Sequence, residues 1–319
     1  MLISVLILAY NRKDYVSNAL NSALNQTINK DSYEILILSN FNDASLSRII
    51  NSHSASPEIK LILLEDQSIG YYILKGLESS RGEILTFLDD DDVYEKTRLE
   101  EIAKIFTENK NVVYFRNATQ LMDTEGNEIR GAAMNKHCRS GAYSLKEISK
   151  RGISDLQWGA STIALRSYIL ERYKEFLPMI DNAQDVWMFY LSMAERMLMY
   201  LDCQILSRNR IHPNRLSTRH NYLARGYQDT APLLNIIDDK EVLDELQKAR
   251  ARMLFLSIIR GYAVPIRELF EQMIFYIKHL QRNVRDIQTL VYCASILFIY
   301  FPLRKRSLWA FSKLGAFIP

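Results

Sequence analysis

The stretch that decides the fold is EILTFLDDDD, residues Glu83–Asp92. Its first six residues have an apolar, β-like pattern that predicts a buried strand. Four consecutive carboxylates follow at the strand's end. Because open α/β sheets bind ligands at the carboxyl ends of their strands, hard oxygen donors there favour Mg²⁺ or Mn²⁺. The alternative is an acidic helix N-terminus, in which Asp91 or Asp92 caps a helix that begins near Val93.

The first third of the chain alternates between apolar runs of strand length and helical patterns. The predicted strands are Ile3–Ala9, Glu34–Leu38, Ile59–Glu65 and Ile84–Leu88, and the predicted helices between them are Tyr15–Gln26, Leu46–His53 and Gly70–Ser80. This order predicts an α/β fold with a doubly wound, Rossmann-like and mainly parallel sheet. Because no GxGxxG or Walker lysine motif is present, a phosphate would be held by metal and basic side chains.

Composition places the chain among folded globular proteins. It has 319 residues, of which 48% are hydrophobic and 24% charged, which argues against a disordered chain. Cys138, Cys203 and Cys293 lie far apart, which argues against a zinc site or a disulfide framework and fits a reducing compartment. The apolar N-terminus lacks a basic region and a cleavage site and is too short to span a bilayer. We therefore predict a buried first strand and a cytoplasmic protein.

Four segments resemble, in the correct order, the motifs of glycosyltransferase family 2. They are Ser4–Arg12, Leu20–Gln26, Gly82–Asp92 and Gln184–Trp187. The resemblance covers roughly residues 1–220 and implies the GT-A fold. It also implies a metal-assisted, inverting transfer of a sugar from a nucleoside diphosphate sugar, such as a UDP- or GDP-sugar, to an acceptor hydroxyl. No nucleic acid partner is expected.

The resemblance assigns roles to individual residues. Asp91 would hold Mn²⁺ or Mg²⁺, His212 would approach the metal or the diphosphate, and Arg210 or Arg215 would neutralise phosphate charge. The implied donor-binding residues are Ala9, Tyr10, Asn11, Arg12, Asn40, Asp89 and Asp90. Asp185 matches the general base that takes the acceptor proton. The implied acceptor-side residues are Trp158, Gln184 and Trp187.

Two departures from the family pattern leave alternatives open. Gln184 stands where a glutamate is usual, and Ser39–Asn42 stands where Asp-Asp-Gly-Ser is common. The Asn40 amide can bond a nucleobase, Asp43 can substitute from a shifted position, or the segment is only an asparagine-rich turn. Without the family, Asp185 is a first-turn helix carboxylate, His212 a loop residue and Trp158 a core residue.

Two rival functions follow from these departures. A non-catalytic nucleotide- or sugar-binding module, or a partner subunit, could keep the fold while its donor loop changes. A phosphotransferase or nucleotidyltransferase could use the same aspartates. The presence of Asp185 on a distant segment favours sugar transfer, because it supplies a base for the acceptor.

The C-terminal part differs in charge from the rest. We predict a glycosyltransferase domain over residues 1–225 and a helical region over 226–319, with helical patterns at Glu241–Tyr262 and Ile266–Gln281. Residues 241–319 carry 12 basic and 6 acidic side chains. The apolar run Thr289–Leu303 would form a helix of only ~22 Å, against ~30 Å of hydrocarbon. It is either a buried helix or, as we favour, part of a surface on anionic lipid at the inner face of the membrane. The acceptor would then be a lipid-linked or surface glycan.

Overall fold

A computed structural model gives the architecture of the chain. It describes residues 1–10, 13–42, 44–53, 57–134, 139–151, 159–213, 221–262 and 266–278, together with Val291. The chain divides into two compact units, the first comprising residues 1–146 and 153–212 and the second residues 147–152 and 213–319. The functional boundary between residues 225 and 226 stays a prediction.

A single mixed sheet forms the centre of the first unit. Its strands are β1 (Ile3–Ala9), β2 (Tyr33–Ser39), β3 (Glu58–Leu63), β4 (Ile84–Asp89), β5 (Val93–Tyr94), β6 (Val112–Met122), β7 (Glu128–Met134), β8 (Gly141–Tyr143), β9 (Ile163–Arg166) and β10 (Leu198–Arg210). The order is β3-β2-β1-β4-β9-β6-β10-β5, with β7 beside β6 and β8 beside β10. The neighbours β3, β2, β1 and β4 are parallel, as are β6 and β10. The predicted mainly parallel sheet is therefore confirmed, with β9 inserted antiparallel between β4 and β6.

Helices connect and flank these strands. They are α1 (Val16–Leu24), α2 (Ala44–Ser52), α3 (Ile69–Ser79), α4 (Arg98–Glu108), α5 (Leu145–Arg151), α6 (Ser167–Arg172), α7 (Gln184–Ala194), α8 (Tyr222–Asp229), α9 (Leu233–Ile236), α10 (Lys240–Ile259) and α11 (Ile266–Lys278). The predicted helix beginning near Val93 is wrong. Val93 and Tyr94 pair with β10, because the chain first crosses the end of that strand. The next helix starts only at Arg98.

The strand register aligns the ends where polar side chains follow. Every residue of β1 and β2 is buried, as expected of parallel strands covered on both faces. Ala9 lies opposite Ser39 on β2, and Leu8 lies opposite Asp89 on β4. The segments after β1, β2 and β4 therefore leave the sheet at the same edge.

A buried polar cluster fixes the opposite edge of these strands. Ser4 donates its hydroxyl to a carboxylate oxygen of Glu34 at 2.7 Å, and it accepts the Gly82 amide at 2.9 Å. Arg81 donates its backbone amide and its Nε to Glu34 at 2.6 and 3.0 Å. The amino ends of β1, β2 and β4 are thus held by one buried carboxylate with its hydrogen bonds satisfied.

The second unit is helical where it is described. Asp239 caps α10 by accepting the amides of Glu241 and Val242, a typical N-cap arrangement. The inner face of α11 is buried through Leu269, Met273 and Tyr276, and Tyr276 meets Phe255 of α10 edge to face. Among the described residues, no helix has both the length and the apolar character needed to cross a membrane. Apart from Val291, the run Thr289–Leu303 lies outside the described residues.

One expectation about the cysteines is wrong. Cys203, on β10, is disulfide-bonded, whereas the spacing of the three cysteines argued against a disulfide. Cys138 and Cys293 both lie outside the described residues.

The contact between α3 and the segment Lys174–Met179 leaves no room for a side chain at Gly70. A Cβ there would lie 1.7 Å from the Leu177 carbonyl oxygen. We expect Gly70→Ala to lower the free energy of unfolding by about 1–3 kcal/mol, because backbone must move to relieve the clash. Denaturant unfolding measures this loss. Gly141→Ala is the control, since the nearest neighbours of a Cβ there would be Tyr143 atoms at 3.7 Å. Equal denaturant concentrations at the unfolding midpoint of the two variants would contradict the prediction.

Candidate functional site

Four carboxylates crowd the end of β4, in the segment Asp89–Asp92, which we call the acidic turn. Asp90, Asp91 and Asp92 are 1%, 6% and 4% exposed, and Asp89 is half-buried. One carboxylate oxygen from each of Asp89, Asp91 and Asp92 lies within 4.8 Å of the others. Such crowding of buried negative charge requires protein donors or a cation to offset it.

Asp92 is held by protein donors. Its carboxylate accepts the Ser161 hydroxyl at 2.6 Å, the Arg210 amide at 2.9 Å and the Asn209 side-chain amide. The prediction that Asp92 caps the next helix is wrong, because that helix begins six residues later and the carboxylate points to β10 and to the turn before β9. Asp92 therefore anchors the acidic turn.

Asp90 connects the acidic turn to the end of β1. Its carboxylate accepts the Tyr10 amide at 3.2 Å. The Tyr10 hydroxyl donates to Asp66, in the loop after β3, and the Tyr10 ring lies edge-on to Tyr72 at 5.6 Å. Ala9 is fully buried at the end of β1, whereas Asn11 and Arg12 lie outside the described residues.

Asp91 is paired with His212. The imidazole Nε2 lies 2.8 Å from a carboxylate oxygen of Asp91, and both residues are 6% exposed. The imidazole also contacts the Tyr15 ring, with 5.6 Å between centroids. The Arg210 guanidinium lies 4.4 Å from the same Tyr15 ring. The Tyr15 ring thus contacts both the Arg210 guanidinium and the imidazole that faces Asp91.

Arg210 is part of the scaffold of the site. Its guanidinium donates to the carbonyl oxygens of Asp91, Asp123 and Thr124 at 3.0, 3.1 and 2.9 Å. The side chain is only 2% exposed. This arrangement leaves Arg210 buried beneath the turn instead of facing a phosphate, and Arg215 lies outside the described residues.

The donor set fits a divalent cation. Asp89, Asp91 and Asp92 each offer one carboxylate oxygen to such a cluster, although both oxygens of Asp92 accept hydrogen bonds. The Nε2 atom of His212 lies against Asp91. Carboxylate oxygens suit Mg²⁺ and Mn²⁺, and imidazole is a further ligand type for first-row metals. Among the described residues, the carboxylates of the acidic turn are therefore the group that could hold a metal, and the role of His212 as a ligand stays a prediction.

Asp185 lies in the first turn of α7 and is 6% exposed. One carboxylate oxygen accepts the Gly159 amide at 2.8 Å, and the other accepts the Val186 amide at 2.9 Å. Burial raises the pKa of Asp185 to about 6, although these two amides and the charge of Arg116 act to lower it. A carboxylate with such a pKa is ionised at neutral pH and is a stronger base than an exposed one.

A short turn links the acidic turn to Asp185. The segment Gly159–Thr162, which we call the bridging turn, contains the 3₁₀ helix Ala160–Thr162 that precedes β9. Ser161 accepts the Asp89 amide at 3.0 Å and donates to Asp92. Gly159 donates to Asp185. The acidic turn and Asp185 are therefore joined through three consecutive residues, Gly159 to Ser161.

The other predicted site residues differ in exposure. Asn40 and Gln184 are half-buried, directly after β2 and at the start of α7. Trp187 is 0% exposed, so its side chain presents no surface to an acceptor. Trp158 and Asp43 lie outside the described residues.

Sequence reasoning missed several residues that shape the site. Ser161 and Gly159 bridge its two halves, Tyr15 contacts His212, and the fully buried Arg116 lies close enough to Asp185 to affect its pKa. Their residue types are common in cores and turns, so the residues alone carried no signal. Within the segment Trp158–Thr162, the sequence predicted a role only for Trp158.

Comparison with known proteins agrees with this geometry. Residues 4–170, about half of the chain, match the model of the family described as glycosyl transferase family 2. The putative glycosyltransferase EpsH of Bacillus subtilis is 32% identical over 124 residues, which are 38% of this chain. The match spans 35% of EpsH, about a third of its length.

Solved structures share the fold. S. aureus TarS 1-349, solved in complex with UDP-GlcNAc, superposes with a TM-score of 0.60 at 16% identity, covering 86% of this chain and 81% of that chain. The mannosyltransferase PcManGT from Pyrobaculum calidifontis, in complex with GDP-Man and Mn²⁺, gives a TM-score of 0.58 at 12% identity, covering 98% and 84%. The fold, the acidic turn at the strand edge and the family match over residues 4–170 together show that this chain, a GT-A protein, belongs to glycosyltransferase family 2.

Proposed function

We propose that the protein transfers a sugar from a nucleoside diphosphate sugar to an acceptor hydroxyl, with inversion at the anomeric carbon. The observation that carries this proposal is the link between the acidic turn and Asp185 through Ser161 and Gly159. An inverting transfer needs a place for the leaving diphosphate and a base for the attacking hydroxyl. We assign the first role to the acidic turn and the second to Asp185.

The donor side is proposed to lie over the acidic turn. Asp89, Asp91 and His212 would hold Mn²⁺ or Mg²⁺, which when bound offsets the charge of the leaving diphosphate. Asp90 and Tyr10 keep the end of β1 against this turn. Asn40 leaves the same edge after β2, where its amide can meet a nucleobase edge. That PcManGT was solved with GDP-Man and Mn²⁺ supports this assignment.

Asp185 is proposed to act as the general base. Amides on both of its oxygens fix the orientation of the carboxylate, and burial keeps its pKa near neutrality. As the acceptor hydroxyl attacks the anomeric carbon, the carboxylate takes the proton and the nucleoside diphosphate leaves with the bonding electrons. Gln184, half-buried beside Asp185, is proposed as an acceptor contact in place of the usual glutamate.

A second candidate is a binding module without turnover. The replacement of the usual donor-loop carboxylates by Ser39–Asn42 favours it. The buried and hydrogen-bonded Asp185 favours an enzyme, because a module that only binds gains nothing from a carboxylate whose pKa lies near neutrality.

We also propose that the second unit attaches to an anionic membrane surface. Phe270, Ile274 and Ile277 are 38%, 53% and 52% exposed, and their spacing places them on one face of α11. The sequence from Lys278 to Lys313 is strongly basic, with only Asp286 opposing seven positive charges. Exposed apolar side chains beside basic sequence fit a bilayer interface. A glycan or lipid-linked acceptor would match this location.

Replacing Asp91 tests the donor site. We expect Mn²⁺ with UDP or GDP to raise the melting temperature of the wild type, since a ligand of the native state stabilises it. Asp91→Asn removes a ligand charge and should abolish the metal-dependent part of this shift. Thermal denaturation with UDP, GDP, CDP and dTDP, with and without the metal, measures it. A full metal-dependent shift in Asp91→Asn would exclude Asp91 as a ligand.

Replacing Asp185 tests the base. Asp185→Asn should lower kcat by about 10²–10⁴-fold, the usual contribution of general base catalysis, while donor binding persists. Because the base must be ionised, kcat of the wild type should fall as the pH drops below the Asp185 pKa of about 6. Initial rates between pH 5 and 8 measure this acid limb. Unchanged turnover in Asp185→Asn would make the assignment wrong.

Charge on the outer face of α11 tests the membrane surface. We expect the double variant Ile274→Asp/Ile277→Asp to bind vesicles that contain phosphatidylglycerol at least about tenfold more weakly, because two apolar contacts are lost. Co-sedimentation measures binding. Asn51→Asp/Thr107→Asp adds the same charge at two exposed positions of the first unit and should bind as the wild type does. An equal loss of vesicle binding in both double variants, or no vesicle binding by the wild type, would contradict the proposed attachment through α11.

A further inference from the structure

The bridging turn contacts both the acidic turn and Asp185, the two groups that must stay aligned for transfer. The Ser161 hydroxyl accepts the Asp89 amide at 3.0 Å and donates to Asp92 at 2.6 Å, so it holds the first and the last residue of the acidic turn. Two positions earlier, the Gly159 amide holds Asp185 at 2.8 Å. Any movement of the acidic turn is thus conveyed to the segment that orients the carboxylate of Asp185.

The bridging turn is stiff enough to transmit such a movement. Ser161 and Thr162 are 0% exposed and Ala160 is 2% exposed. The Thr162 hydroxyl donates to the Gly159 carbonyl at 2.6 Å, closing the turn, and accepts Nε of Arg116 at 3.2 Å. Gly159 has φ +85°, a conformation that favours glycine. Packing, hydrogen bonds and backbone conformation therefore leave these four residues little freedom to move independently.

We propose that Ser161 is a positioning residue that couples the acidic turn to Asp185. This inference rests on the proposed function. Ser161 touches no reacting atom; its hydroxyl sets where the acidic turn lies relative to the base. Loading of the donor and cation at the acidic turn therefore also fixes the Gly159 amide, and with it the direction in which Asp185 faces the acceptor.

Removal of the hydroxyl should affect both ends of this connection. The Asp89 amide and the Asp92 carboxylate would each lose a buried partner, which loosens the acidic turn. The Gly159 amide would then hold Asp185 less firmly, so the ionised carboxylate would be less stabilised. Arg116 and Tyr114, both on β6, are ionisable groups that interact electrostatically with Asp185, and Ser161→Ala changes neither of them.

The chain offers a matched control in Ser4. Like Ser161, Ser4 is 0% exposed, donates to a carboxylate and accepts a backbone amide. Its partners Glu34 and Gly82 lie at the amino ends of the strands, at the opposite edge of the sheet. Ser4→Ala should therefore destabilise the fold to a similar extent without disturbing the proposed site.

The experiment compares wild type, Ser161→Ala and Ser4→Ala in two measurements. The first is Mn²⁺ affinity in the presence of nucleoside diphosphate, read from the spin-resonance signal of free Mn²⁺, which requires no turnover. The second is the dependence of kcat on pH.

For Ser161→Ala we expect Mn²⁺ binding weakened by about fivefold or more, as a lost buried hydrogen bond predicts, and kcat lowered by about tenfold. On the acid side of its pH profile, the pH at which kcat falls to half should rise by about half a unit. Ser4→Ala should keep the wild-type values in both measurements while its melting temperature falls.

Each outcome decides the matter. If Ser161→Ala changes only the melting temperature, as Ser4→Ala does, the coupling is wrong although the proposed function stands. If the wild type binds no Mn²⁺ and transfers no sugar, the proposed function fails and the inference falls with it. Should Ser161→Ala not fold, Ser161→Cys replaces the hydroxyl by a somewhat larger thiol that is a weaker donor, and the same combination of weaker Mn²⁺ binding and a shifted acid limb is then required.

Discussion

The carboxylate of Asp92 is the interaction on which the site depends. It gathers the end of β4, the bridging turn and the end of β10 by accepting hydrogen bonds from Ser161, Asn209 and Arg210. A buried carboxylate tolerates burial only when its oxygens are satisfied in this way. With Asp92 fully engaged by the protein, the acidic turn presents Asp89 and Asp91 in a defined position beside His212.

Buried arginines offset part of the negative charge around this edge. Arg98 is 0% exposed and donates to Asn117, Thr86 and the Ile163 carbonyl. Its guanidinium lies 4.0 Å from the centre of the Tyr94 ring, and burial raises the pKa of that tyrosine, with the charges of Asp89 and Asp92 contributing. The charge of Arg116 acts to lower the pKa of Asp185. Hydrogen bonding of these guanidinium groups makes their burial tolerable.

Local patterns in the sequence predicted much of the first unit. Continuous apolar runs such as Ile3–Ala9 gave strands with the expected bounds, because parallel strands covered on both faces need apolar residues throughout. The prediction near Val93 was wrong, since a two-residue strand pairing with β10 is invisible in a local pattern. The prediction for the cysteines was wrong at Cys203, which is disulfide-bonded.

From the sequence alone came the family, the order of strands and helices in the first third of the chain, and the prediction that Asp91 and Asp185 carry the chemistry, because motif and periodicity are properties of neighbouring residues. The contacts and the burial of each carboxylate were visible only in the folded structure. The donors that occupy Asp92 lie 69 to 118 positions further along the chain, and burial raises the pKa of Asp185. Such partners and such burial arise only when the sheet brings distant segments to one edge, where hydrogen bonding and desolvation act over a few ångströms.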